Sequence, residues 1–238
     1  MNKENYKCVS GSTLKMIAIT SMFIDHVAMH LLRPMPIARQ ALLEWDTHVL
    51  TLYTLMRTVG RLAFPIFAFL IVEGYVHTRN RMNYGRNLFL FALLSEIPWN
   101  LVHTNSLFWS HQNVFFTLLL GYLGICAIEY FREDRGRMAV SLLALLVISY
   151  VARADYGCTG FGFILLLYML REHKLAMSVI GSCFLSSTWR AGLAFIPICL
   201  YNGKRGFIRG NILKYAFYVF YPLHLTIIYL IKLYLYTK

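Results

Sequence analysis

Charge is scarce in this sequence. Of its 238 residues only 14% are Asp, Glu, Lys or Arg, where a soluble domain carries about 25%. That shortage, with 58% hydrophobic residues, excludes an ordinary water-soluble globule and a solvated disordered chain. Acidic residues are scarcer still, 11 against 23 basic, for a net charge of +12. The basic residues form no stripe or arm, so no nucleic-acid partner is expected. Cysteine offers no CxxC pair. Cys8, Cys126, Cys158, Cys183 and Cys199 are odd in number and mostly lie inside apolar segments, which implies small packing residues and neither a disulfide framework nor a zinc site. Internal repeats, low-complexity stretches and long linkers are lacking too, so residues 1–238 read as one domain.

What is present is apolar sequence in blocks, at about 14–32, 50–77, 87–103, 114–131, 138–152, 159–171, 175–187, 189–201 and 214–236. Short basic clusters separate them. The expected fold is all-α: a polytopic membrane bundle of about nine (eight to nine) transmembrane segments. The uncertain stretch is 175–201, which can be drawn as one segment or two. Asp25 and His26 interrupt the first apolar run and no small-residue cleavage site follows, so this run is expected to be a retained membrane helix and not a signal peptide.

Alternating the segments from a cytoplasmic N-terminus sorts the charges. The inner side receives the basic residues from Lys3, Lys7 and Lys15 through Arg79, Arg81 and Arg86 to Lys204, Arg205, Arg209 and Lys214. The outer side receives Arg33, Arg39, Arg153, Arg190 and Lys238. A roughly threefold asymmetry favours this orientation in a cell membrane.

Depth arithmetic then picks out polar residues. A helix advances about 1.5 Å per residue, and half the hydrocarbon core is about 15 Å. Asp25, His26, Arg61, Glu96 and His224 each fall about ten residues into a segment. Lone charges in lipid are costly, so such groups face the bundle interior and either pair or line a wet cavity. An ion pair of Arg61 with Asp25 or Glu96 that merely fixes helix packing is the bland account. The two histidines favour a chemical one, because imidazole exchanges protons near neutral pH. Their spacing matches no metal-ligand pattern, and no metal is expected. At the inner rim, Arg79, Arg81 and Arg86 with the turn Asn202-Gly203-Lys204-Arg205 have the chemistry of a phosphate-binding edge. Asn113 and Asp155 read as helix caps.

The chain also resembles a known family. Ile24-Asp25-His26, Gly60-Arg61-Leu62-Ala63-Phe64-Pro65, Glu73-Gly74, His77-Thr78-Arg79, Ser95-Glu96-Ile97-Pro98, Gln112-Asn113-Val114-Phe115-Phe116-Thr117, Asp155-Tyr156-Gly157, Tyr201-Asn202-Gly203-Lys204-Arg205 and the run from Tyr218 to His224 follow in order over most of the sequence. Together they are similar to the TraX family, whose founding member is associated with N-terminal acetylation of conjugative pilin. More distantly they resemble membrane acyltransferases that modify glycans. The resemblance implies an acetyl-CoA-dependent O- or N-acyltransferase in which His26 is general base or acetyl carrier, with Asp25 as its neighbour. The family role is carried over to His26 and its neighbour alone. From their depth, Arg61 is expected either to pair with Asp25 or Glu96 or to polarise the thioester carbonyl, and Glu96 and His224 to line the catalytic cavity. Arg79, Arg81, Asn202, Lys204, Arg205 and His224 would form the acetyl-CoA side. Acetyl-CoA is then a co-substrate with membrane lipids around the protein. The acceptor stays open between a pilin-like peptide and a small amine or glycan. The competing reading is a proton-coupled transporter, since Asp, Glu and His at one depth also relay protons.

Overall fold

The computed structural model describes residues 7–45, 48–208 and 210–236. The basic residues Lys3, Arg209 and Lys238 lie outside them, as does the side chain of Lys214. The chain runs through α1 (Gly11–Val27), a π-helical turn (Ala28–Leu32), a short 3-10 turn (Pro36–Arg39) and a hairpin of β1 (Ala41–Trp45) and β2 (His48–Thr51). It continues through α2 (Leu52–Gly60), α3 (Ala63–His77), α4 (Arg81–Thr104), α5 (Val114–Tyr130), α6 (Arg135–Val151), α7 (Gly157–Met169) and α8 (Lys174–Phe184). A 3-10 stretch (Ser186–Ala194), α9 (Phe195–Cys199) and α10 (Asn211–Tyr236) complete it.

Helix starts follow local chemistry. Ser10 accepts from the Thr13 amide, Asn80 from that of Asn83 and Asp134 from that of Arg137, each satisfying an amide that has no partner within its helix. The first amides of α1 are also met by a distant loop. Gly11 N donates to Lys204 O and Ser12 N to Arg205 O, both at 2.8 Å, while Ser12 Oγ donates to Arg205 O and accepts from Ile208 N. This stitching holds the 201–208 segment across the start of α1.

The fold is thus nearly all helical, and the apolar blocks of the sequence coincide with its helices. The expected count of about nine crossings is not confirmed. Among the described residues three stretches are long and apolar enough to cross a bilayer, Gly11–Leu32, Leu52–His77 and Tyr215–Tyr236. Helix α7 has 13 residues and α8 has 11, short of the about 20 needed. Helix α4 is long enough at 24 residues, but Arg81, Asn83, Arg86, Asn87 and Glu96 dilute its hydropathy. The 175–201 stretch is broken after α8 and finishes in a five-residue α9. The hairpin, with Leu43 opposite Leu50, is a departure from all-α that carries no periodic signal.

The outer surface is that of a membrane protein. Val140, Leu143 and Val147 on α6 are 69%, 61% and 52% exposed, and Leu223 and Leu230 on α10 are 52% and 57% exposed. A water-soluble protein does not display contiguous apolar surface of this kind. Inside, one large cluster joins α1, α3, α4, α5, α7, α9 and α10.

Candidate functional site

Two cavities lie inside the bundle. The larger, about 850 Å³, is lined at one end by Lys15, Glu73, His77, Arg79 and Arg205, and further in by Tyr84, Leu88, Phe115, Leu118, Phe217 and Tyr218. The smaller, about 480 Å³, holds Asp25, His26, Met29, Arg57, Arg61, Trp99, His103, Trp109, Asp155 and Tyr156. Met22, Phe67, Val114 and Tyr221 belong to both walls. The two spaces therefore share a wall of four side chains, the junction between them, with basic groups lining one space and histidine chemistry the other.

His26 stands on the last turn of α1, just before the backbone loosens into the π turn, where Arg33 N reaches back to Ala28 O. Such local widening of a helix is frequent at functional sites. Its Nδ1 lies 2.7 Å from Nε2 of His224, across a sequence separation of 198. The roles in this bond follow from the next one. Nδ1 of His224 lies 2.8 Å from the carbonyl of Phe220, which can only accept, so that nitrogen carries a proton. In the neutral ring Nε2 of His224 is then the acceptor, and Nδ1 of His26 must be the donor. What remains on the His26 ring is Nε2, which makes no hydrogen bond among the described residues, the one bond of this ring being that of Nδ1. That is a base held in one tautomer by its neighbour.

Asp25 points elsewhere, as adjacent helix positions must. Its Oδ2 accepts from Arg57 Nη1, with both side chains largely buried at 19% and 16% exposure. Its Oδ1 is buried without a partner among the described residues. The close approach of α1 to α2 depends on Gly60, where a Cβ would sit 2.0 Å from Asp25 Oδ1. Arg61 lines the same cavity and acts electrostatically on both Asp25 and Asp155, so the direct ion pair expected of Arg61 is made by Arg57 instead. Arg57 lies one helical turn earlier on the same face, the one signal that would have found it.

Glu96 lines neither cavity. Its Oε2 accepts from Asn113 Nδ2 at 2.7 Å; the same nitrogen donates to Ala92 O, while Asn113 Oδ1 caps the Phe115 amide. This arrangement ties α4 to the start of α5. Asp155, read from the sequence as a cap, faces the histidine cavity from the turn before α7. Its side chain is exposed to the cavity, yet desolvation by the protein around it raises its carboxyl to about 7, with Arg61 pulling the other way. His103 and Trp109 are further cavity residues that the sequence did not single out; the Trp109 ring stacks on His103 at 5.0 Å.

Of the residues expected on the acetyl-CoA side, Arg79 and Arg205 line the larger cavity, as does Gly203 of the turn. Arg81 instead lies over the Tyr75 ring at 4.4 Å. Asn202 Oδ1 closes the turn onto the Lys204 amide, and neither Asn202 nor Lys204 lines a cavity. His224 sits behind His26.

A family model described as TraX protein matches residues 10–232. The chain is 27% identical to a Dichelobacter nodosus protein described as "Probable fimbrial assembly protein FimC, serogroup H1", over 95% of this chain and 97% of that one. It is also 24% identical to an uncharacterized protein of Rickettsia prowazekii (strain Madrid E), over 78% of this chain and 63% of that protein. No solved structure matches it.

Proposed function

The chain belongs to the TraX family, and from that premise we propose that it is an integral membrane acetyltransferase. It moves an acetyl group from acetyl-CoA to an amine or hydroxyl acceptor, with His26 as general base. The observation that carries this reading is the bare Nε2 of His26, held by His224 in a cavity that meets a second, basic-rimmed one. A nucleophile needs a base whose lone pair is aimed and available, and a diphosphate needs cations at the surface. Lys15, Arg79 and Arg205 supply the second requirement, from a rim that faces the cytoplasm if the N-terminus does, as we propose. The larger cavity is long and aromatic beyond that rim, which suits a pantetheine arm on its way to the junction.

In the step itself, Nε2 of His26 removes a proton as the acceptor attacks the thioester carbonyl carbon. A new C–N or C–O bond forms, the C–S bond breaks, and the CoA thiolate leaves and takes up a proton. His224 keeps the imidazole oriented while it is charged. Arg61, which makes no ion pair among the described residues, lines the cavity where a negative charge on acceptor or donor would be met. The name of the Dichelobacter relative ties it to fimbrial assembly, and we read a pilus subunit as one acceptor class for this chain.

Two cavities that share a wall, with ionisable groups in both, also suit a proton-coupled carrier, so both activities should be measured on one preparation. Purified protein in proteoliposomes is supplied with acetyl-CoA, and free CoA is followed with a thiol reagent. Parallel vesicles without acetyl-CoA are tested for uptake of labelled amino acids and sugars. CoA release above that of empty vesicles is the expected result; solute uptake with no thioester cleavage overturns the enzyme reading.

A further inference from the structure

Tyr221 is buried, at 2% exposure, and lines both cavities at their junction. Its hydroxyl is shielded from solvent and has no hydrogen-bond partner among the described residues. Leaving a buried hydroxyl unpaired is destabilising, and such a group in a native protein asks for an explanation. Its surroundings supply one. The Tyr221 ring lies 6.2 Å from that of His26 and 5.5 Å from that of His224, and the Phe115 ring holds it edge-on at 5.2 Å. The Val114 backbone amide, first in α5, faces its oxygen outside hydrogen-bond geometry. An amide directed at the oxygen leaves the hydroxyl's own proton free to point into the junction.

Resting on the acetyltransferase reading above, we infer that Tyr221 is a catalytic residue whose O–H donates to the thioester carbonyl oxygen. A thioester lying across the junction has its carbonyl between the histidine cavity and the CoA cavity. When the acceptor attacks, the carbonyl π pair moves onto oxygen and that oxygen becomes an anion. A donor already in place and shielded from water stabilises that charge far more than the ground-state carbonyl. As the tetrahedral species collapses, the pair returns to re-form C=O and the C–S bond breaks with thiolate as leaving group. Tyr221 neither loses nor gains a proton overall. The unpaired hydroxyl of the substrate-free protein is then a donor awaiting its acceptor.

The test is Tyr221→Phe, which keeps the ring and removes only the hydroxyl. A structural tyrosine and a catalytic one move different readouts. Because the hydroxyl has no partner, its removal should leave the thermal midpoint in detergent unchanged or higher. The kcat for CoA release should fall about 100-fold, the usual loss for one oxyanion donor, with KM for acetyl-CoA within about twofold. Wild-type turnover with Tyr221→Phe within threefold of it would overturn the assignment while sparing the acetyltransferase reading. A lower midpoint with kcat and KM both degraded would instead mark the hydroxyl as structural. A folded wild type that binds no acetyl-CoA and releases no CoA would bring down both.

Discussion

The two cavities share α1, α3, α4, α5 and α10, with α2 and α7 added around the smaller one, and they differ in how their polar groups are held. In the histidine cavity the base and the ion pair are each held by a neighbour: Arg57 by Asp25, His26 by His224, and His224 behind it by the Phe220 carbonyl. In the basic-rimmed cavity the walls are mostly aromatic and aliphatic, and the cations gather at one end. The difference teaches a division of labour. Chemistry needs groups held in one tautomer and one direction before the substrate arrives, whereas binding a long, flexible donor needs a shaped apolar channel and an anion-binding mouth.

The sharpest way to break this division is to remove the base. Replacing His26 with Ala should lower the rate of CoA release by about three to four orders of magnitude, the upper range for general-base catalysis. Equilibrium binding of acetyl-CoA, measured by calorimetry, should stay within about threefold. If the binding is lost along with turnover, the two cavities are not separable. The next effect tests the tautomer. His224→Phe keeps a ring behind His26 but removes the acceptor at 2.7 Å. Without it His26 is free to carry its proton on Nε2, where it cannot act as a base. A fall in kcat of about 100-fold with KM nearly constant is expected, and an unchanged kcat would show that His224 only packs.

The larger cavity should respond in the opposite way. Arg79 and Arg205 both line it, and each charge-assisted contact to a phosphate contributes about 1.5 kcal/mol. The double replacement by Ala should therefore raise KM for acetyl-CoA at least tenfold while kcat at saturation holds. Lys204→Ala alone should do little, since Lys204 lines neither cavity. An unchanged KM in the double variant would remove the phosphate mouth from the argument.

How much of this was legible follows the same divide. The helices were readable because apolar blocks announce themselves, and the Asp25-His26 pair stood out because two ionisable groups in such a block are costly. The partners were not readable. His26 and His224 are 198 residues apart, and depth along separate helices says nothing about which faces meet. Arg61 was noticed at the right depth, yet Arg57, four residues earlier on the same face, reaches Asp25. Glu96 was also at the right depth, but its helix turns it toward Asn113. The β1–β2 hairpin falls in a loop with no sustained alternation, and its pairing exists only in three dimensions.

The smallest predicted effect lies where the histidine cavity departs from its own rule. Asp155 accepts no hydrogen bond and makes no ion pair among the described residues, although it lines the same wall as the tightly paired Asp25. Its folded-state value of about 7 stands above the ordinary value of 3.8. A carboxyl with a raised value binds its proton more tightly in the folded protein than in the unfolded one. Its contribution to stability is therefore fully present below about pH 4 and is lost as pH rises toward 7. The carboxyl is open to the cavity, and solvent there keeps the effect small. Replacing Asp155 with Asn should leave the thermal midpoint unchanged near pH 4 and raise it by a degree or two at pH 8, relative to wild type at each pH. A midpoint difference that is flat across this range would mean that Asp155 is already paired or fully hydrated. The contrast between a wired carboxylate and a free one would then have to be drawn elsewhere in the cavity.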